Sequence, residues 1–276
     1  MLIERISAFS TGNTGGNPAG VVIADELPPV ADMAQIAAEV GYSETAFASP
    51  LPGGGWRVRY FAPASEVPFC GHATIALGAA LGARFGPARY ELALNDAEIA
   101  VEAAEDAGTW SAALTSPPTS HEAPDPDLVR RMADLFAIAP NDLSENLSVT
   151  RASAGADMLI VPLASRARLA QMDYDLEAGA ALQNDHGLVG IYFVVEAEPR
   201  LFDVRMAFAS GGVLEDPATG AAAAAFAGWL RDSGRLAGKI EIRQGDDMGM
   251  PSRLTCLATP QAGSAIRVSG ATRRLA

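Results

Sequence analysis

The sequence predicts an α/β protein built from two similar halves, and three observations carry that expectation. The chain has 276 residues, 49% of them hydrophobic, which is enough material for one large or two medium cores. Short stretches with strand character alternate with amphipathic or small-residue helical stretches along the whole length. One passage also recurs. VRYFAPASEVPFCGHATIALGAAL (residues 58–81) and VRMAFASGGVLEDPATGAAAAAFAGWL (residues 204–230) each run from a strand, through a polar loop, to an AT step that opens a small-residue helix.

The elements follow in order. A strand is expected at residues 3–9, then a Gly- and Asn-rich loop, TGNTGGNP, and a second strand at 19–23. Met33, Ile36, Ala37 and Val40 fall on one helical face, and Gly41 stands where a C-terminal cap belongs. Trp56, Val58 and Tyr60 alternate with Arg57 and Arg59, the period of a half-buried strand. Leu77, Leu81 and Phe85 recur every four residues among Gly78 and Gly82, so the next helix, expected to start near Thr74, can lie close to its neighbours. Strands are expected at 90–94, 98–103 and 110–114. The composition of residues 115–126 reads as a linker, placing the halves at 1–117 and 118–263. Asp125 and Pro126 supply an N-cap and N1 pair, and Leu128, Met132, Leu135 and Phe136 a buried face. Strands at 148–152 and 158–161, a helix at 176–184 and an apolar strand at 189–195 complete the second half, with its own helix opening near Thr219. The first half is expected to reclaim a last strand at 265–269, within residues 264–276.

Composition excludes several classes. With 33 acidic and 20 basic residues the net charge is −13, which repels a phosphate backbone, so no nucleic-acid partner is expected. No run of about 18 apolar residues is present and the first residues lack a basic-then-apolar leader, so a cytoplasmic protein without a membrane role is expected. Cys70 and Cys256 offer no disulfide that spacing would propose. Cys70 and His72 are the only close soft ligands in sequence, so no metal is expected. TGNTGGNP has neither the lysine nor the spacing of a nucleotide loop.

Five separated segments, GNPAGVVI (16–23), SETAF (43–47), FAPASEVPFCGHATIA (61–76), GGVLEDPATG (211–220) and QGDDMGMPS (244–252), resemble the phenazine-biosynthesis isomerase family, the PhzF-like proteins. The resemblance implies the diaminopimelate-epimerase-like fold: two α/β halves, each a mixed sheet wrapped partly around a central helix, with the active site in the cleft between them. It implies an isomerase that moves a proton on a small carboxylate-bearing molecule without cofactor, and a homodimer. By position in its motifs, Glu44 would be the general acid and base, with His72 and Asp216 as further catalytic groups. Ser43, Gly71, Gly220 and Ala221 would bind substrate, the glycines and alanine through backbone N–H groups at the two helix starts.

Each of these residues also has a structural reading. Ser43 and Glu44 could be exposed at a strand start, His72 could be a hydrogen-bonded structural histidine, and Asp216 before Pro217 could cap the helix that follows. Two positions depart from the family pattern. Ala221 stands where a serine is usual, and Met250 where many relatives carry arginine, which points to a different or less charged ligand. Two rival functions stay open: a two-base amino-acid epimerase or racemase of the same fold, with Cys70 as one thiol but no second cysteine near Asp216, and a catalytically silent small-acid binding protein.

Overall fold

The computed structural model describes residues 2–276, and contacts divide them into two units, Met1–Thr115 with Ser269–Ala276, and Ser116–Val268. The first unit contains β1 (Glu4–Ala8), β2 (Asn17–Ile23), α1 (Val30–Val40), β3 (Thr45–Pro50), β4 (Trp56–Phe61), β5 (Glu66–Val67), α2 (Gly71–Phe85), β6 (Ala88–Ala93), β7 (Glu98–Asp106) and β8 (Thr109–Thr115). The second contains β9 (Ser120–Glu122), α3 (Pro126–Leu135), β10 (Thr150–Ser153), β11 (Asp157–Pro162), α4 (Arg166–Ala170), α5 (Leu176–Asp185), β12 (Gly190–Glu198), β13 (Leu201–Ala207), β14 (Glu215–Asp216), α6 (Gly220–Asp232), β15 (Gly238–Gln244) and β16 (Ser252–Ala258). The last strand, β17 (Ile266–Arg274), runs through the residue at which the units divide, and its end pairs antiparallel with β1.

The topologies match step for step. In the first unit β1 and β2 are antiparallel, β2 and β3 parallel, β3 and β4 antiparallel, β4 and β6 parallel, and β6 and β7 antiparallel, while β5 folds back on β4. In the second, β10, β11, β12, β13, β15 and β16 repeat that series, with β14 folded back on β13. The resulting fold is diaminopimelate-epimerase-like. The recurrent Val-Arg steps acquire a physical meaning here. Arg59 of β4 makes a two-pronged pair with Glu66 of β5 (Nε–Oε1 2.7 Å, Nη2–Oε2 2.5 Å), and Arg205 of β13 does the same with Glu215 of β14 (3.0 and 2.5 Å). Each clamp holds the short return strand that leads into a buried helix.

Those helices, α2 and α6, are apolar almost all round and lie against their own unit's strands. Helices that are apolar all round are buried ones, and their small residues let neighbouring strands approach closely. A Cβ at Gly78 would stand 2.5 Å from Val101 Cγ2, and one at Gly228 2.6 Å from Thr119 Oγ1. Outer helices cover the other sheet faces. Met33 and Ala37 of α1 pack with Val22, Phe47 and Phe61, and Leu128 and Met132 of α3 pack with Leu159, Leu182, Ile191 and Phe193. Asp125 caps α3 as its sequence predicts, accepting the Asp127 N–H at 2.8 Å.

Several expectations require correction. The supposed linker is partly a strand, β9, which pairs with β10. The helix at the first AT step begins three residues earlier, at Gly71, because Thr74 belongs to its first turn and donates its hydroxyl to the Cys70 carbonyl at 2.7 Å. Phe85 is exposed, tilted against Trp56 rather than buried. The last strand extends to Arg274, well past residue 269. Among the described residues no helix is long and apolar enough to cross a membrane.

Candidate active site

The centre of the first unit's site is Glu44, the residue before β3. Its carbonyl accepts the Gly20 N–H at 3.1 Å, because β2 and β3 are parallel and pair Gly20 with Thr45. Gly20 has to be glycine for this approach: a Cβ there would lie 2.6 Å from Thr45 Oγ1. The Glu44 carboxylate therefore leaves a fixed backbone and turns toward the start of α2, with 18% of its side chain exposed.

There Glu44 Oε2 lies 3.4 Å from Cys70 Sγ and 3.4 Å from His72 Nε2. The Cys70 thiol lies 3.3 Å from His72 Nδ1, and the Ser43 hydroxyl 3.3 Å from His72 Nε2. The imidazole and the thiol are both buried. Cys70 is the N-cap of α2, yet no side chain caps the helix. The first-turn N–H groups of Gly71, His72 and Ala73 have no acceptor within the helix, and its dipole adds partial positive charge there. Beneath this turn Tyr60 and Thr74 share a 2.7 Å hydrogen bond, and burial pushes the Tyr60 phenol well above its ordinary range.

The contacts allow two proton placements. With neutral His72, Ser43 donates to Nε2, Nδ1–H donates to Cys70 Sγ, and the Cys70 thiol donates to an ionised Glu44. With protonated His72, Nε2–H donates directly to Glu44. Both end on the same carboxylate oxygen.

The second unit's helix start is organised differently. Asp216 lies on β14 and is not the N-cap, which is Thr219. The capping reading of Asp216 is corrected accordingly: its Oδ2 accepts the Thr219 hydroxyl at 2.5 Å and so ties up the side chain that would otherwise cap α6. Gln244, fully buried, completes the arrangement. Its amide nitrogen donates to the Asp216 carbonyl at 2.7 Å and to Thr219 Oγ1 at 3.1 Å, while its oxygen accepts from Thr219 N and from Tyr192 Oη, both at 3.3 Å. Gly220 and Ala221 are the first two residues of α6, with N–H groups beyond reach of intrahelical acceptors. Gly245, at φ 78°, lets the following turn reach back: a Cβ there would lie 2.8 Å from the Pro217 carbonyl and would collide with the Met250 carbonyl.

Sequence reading thus names Ser43, Glu44 and His72, which the fold brings together, but gives Cys70 a place only in a rival mechanism and Gln244 none. A third soft or acidic ligand beside Cys70 and His72, missing from the sequence neighbourhood, is supplied in space by Glu44. For Cys70 the CxH spacing at a helix start was an available signal. For Gln244 nothing in its own neighbourhood distinguished a buried clamp from a loop amide. Cys256 is fully buried in β16, and burial raises its thiol to about 12, which suits a packing role.

Two mixed sheets of matching topology, each turning into a buried helix with an open start, define the diaminopimelate-epimerase-like fold class. The chain belongs to the phenazine biosynthesis-like (PhzF) family, whose model matches residues 6–274, and it is an isomerase of that family. An uncharacterized isomerase of Deinococcus radiodurans is 32% identical over 263 residues, covering 91% of this chain and 84% of its own length. A trans-2,3-dihydro-3-hydroxyanthranilate isomerase of Pseudomonas fluorescens is 32% identical over 270 residues, covering 95% and 92%. The fold matches a Bacillus anthracis phenazine biosynthesis protein of the PhzF family with a TM-score of 0.87 at 22% identity, over 99% of this chain and 96% of that one. It also matches a probable proline racemase of Agrobacterium radiobacter, with a TM-score of 0.66 at 12% identity, over 99% and 90%.

Proposed function

We propose that the protein isomerises a small carboxylate-bearing molecule by proton transfer through Glu44, without a cofactor. The observation that carries this reading is the position of Glu44 Oε2, 3.4 Å from both Cys70 Sγ and His72 Nε2 on a largely shielded side chain. A carboxylate held this way can take a proton from a substrate carbon, while the C–H electron pair moves through the conjugated system. It can then return the proton to a second carbon, so that atoms and charge balance without any external acceptor. His72 and Cys70 hold Glu44 in place and share the negative charge of its ionised form. The open N–H groups of Gly71 and His72 suit the substrate carboxylate. Asp216 is proposed to act by tying up the Thr219 hydroxyl, which keeps the helix-start N–H groups of Gly220 and Ala221 open to an anion, rather than as the proton carrier. The relative whose name contains an anthranilate derivative supports a cyclic, unsaturated acid as the substrate class.

The shielding of Glu44 separates this reading from a silent binding protein, which gains nothing from a carboxylate facing an anionic ligand. A two-thiol racemase would need a second thiol, and the only other cysteine is inaccessible within β16.

Glu44→Gln is the test. Trans-2,3-dihydro-3-hydroxyanthranilate and a panel of small unsaturated acids would be assayed in deuterated water. For whichever is turned over, the variant should keep binding within a few-fold while kcat falls by roughly two to four orders of magnitude. Asp216→Asn should raise KM more than it lowers kcat. Full activity of Glu44→Gln would end the mechanism.

A further inference from the structure

We propose that Gln244 is a positioning residue for the substrate, and that it sets affinity for the carboxylate rather than the rate of proton transfer. The proposal rests on the reading above that the start of α6 holds an anion.

The chain's own duplication shows that the fold does not ask for an amide there. Arg59 and Arg205 occupy the same place in the two units, so Tyr60, paired with Val67, matches Met206, paired with Asp216. Two residues before the arginines, Arg57 pairs with Ala93 and Asp203 with Arg243. Cys70 and Thr219 are the N-caps of the two buried helices. Val67, Cys70 and Leu94 are therefore the counterparts of Asp216, Thr219 and Gln244. Leu94 is buried and apolar, whereas Gln244 is a fully buried amide. Burying an amide is costly unless each of its polar atoms is bonded, and Gln244 uses its full capacity of two donated and two accepted bonds. All but the bond from Tyr192 go to Asp216 and Thr219.

What these bonds do follows from the chemistry of an N-cap. A threonine there ordinarily turns its oxygen to the N–H of the second or third helical residue, here Ala221 or Ala222. Asp216 takes only the hydroxyl hydrogen of Thr219, which leaves the oxygen's lone pairs able to reach the helix. Gln244 closes this route, because its Nε2 donates to Thr219 Oγ1 at 3.1 Å and holds that oxygen away from the helix. Its carbonyl takes the Thr219 N–H at 3.3 Å, so the amides left for an anion are those of Gly220 and Ala221. The side-chain amide cannot flip, since its oxygen would then face the Asp216 carbonyl and its nitrogen the Thr219 N–H. Gln244 thus keeps open a helix start that would otherwise cap itself.

Gln244→Leu installs the residue type of the first unit and tests this with trans-2,3-dihydro-3-hydroxyanthranilate, or with the acid of the panel above that is turned over fastest. KM should rise roughly tenfold, the worth of one hydrogen bond to a charged group, with kcat within about twofold of wild type. Gln244→Leu combined with Thr219→Val has no hydroxyl to cap the helix, so KM should return most of the way to the wild-type value. A residue that merely supports the fold would lose kcat and stability together, and the second substitution would not restore KM. Amide exchange followed by NMR in the unliganded proteins gives a reading without turnover: Gln244→Leu should slow Ala221 or Ala222 roughly fivefold, and the double variant should reverse it. Near-ultraviolet circular dichroism would check the fold. Should Gln244→Leu fail that check, Gln244→Asn, one methylene shorter, keeps an amide in the space but cannot span its partners, and the same changes are expected of it. Slowed exchange beside an unchanged KM would show that Gln244 governs the cap while the substrate binds elsewhere, which overturns the anchor reading and the role proposed with it. Unchanged exchange, or a raised KM that the double variant does not restore, would overturn the role of Gln244 and leave the anchor reading standing.

Discussion

At the scale of single residues, the site depends on one crowded contact just behind it. Thr45 follows Glu44, is fully buried, and its Oγ1 has no hydrogen-bond partner among the described residues. Gly20 across the parallel pairing leaves no room for a side chain of its own. A buried hydroxyl without a partner costs about 1–3 kcal/mol relative to an apolar group of the same shape. Thr45→Val keeps that shape, so it should raise the unfolding free energy by about 1 kcal/mol in a denaturant titration, with kcat unchanged. A loss of stability would show that the hydroxyl does find a partner. Glu44 and His72 could be named from the sequence because their motifs are short and each residue is chemically distinctive. Thr45 and Gly20 could not, since what matters is the absence of space between them, which only the paired strands reveal.

At the scale of elements, the paired arginines explain how two buried helices are presented with bare starts. Arg59 holds β5 to β4 through Glu66, whose second anchor is Asn95 at 2.7 Å. The Arg59 guanidinium, more than any other group, holds the Glu66 carboxyl below its ordinary range, with help from Asn95. A lowered folded-state value means that the native protein binds fewer protons than the unfolded chain in the acid window. The contribution is therefore present above the unfolded glutamate value of about 4.3 and is lost as pH falls through the folded one. Both side chains are about a quarter exposed or less, so a charged, two-pronged bond contributes roughly 1–2 kcal/mol after solvent screening. Glu66→Gln should be less stable than wild type by that amount at pH 7, and the two unfolding curves should converge below about pH 4. A gap that does not narrow between pH 5 and pH 3 would refute the assignment. The Val-Arg repeat was legible in the sequence because it lies in two similar contexts, and the glutamate partners were not, since their spacing differs between the copies. The strand β15 is not evident from sequence, although GKIEIRQ buries Ile240, Ile242 and Gln244 in alternation. Its flanking glycines and charged residues read as loop, and only pairing with β13 and β16 makes the alternation decisive.

At the scale of the whole molecule, the net charge of −13 opposes the ligand class proposed for the site. The two effects act over different distances, which makes them separable. The helix-start N–H groups act within about a turn of the helix, whereas the field of the protein acts on a substrate still approaching. At about 20 Å in water, thirteen like charges oppose one anion by about 2.7 kcal/mol before screening. The Debye length shortens from about 30 Å at 0.01 M salt to about 8 Å at 0.15 M, which removes roughly 1 kcal/mol of that repulsion. For a substrate of net charge −1, kcat/KM should rise roughly three- to ten-fold over this range of NaCl, while kcat for bound substrate stays constant. The direction is opposite to that of a positively charged enzyme steering an anion, for which salt slows association. A zwitterionic substrate, carrying an ammonium beside its carboxylate, has no net charge for the field to act on. A flat salt profile would therefore identify a zwitterion and refute a net anion. Stopped-flow binding to Glu44→Gln, which should bind substrate without turning it over, would place the effect in the association rate rather than in the chemistry.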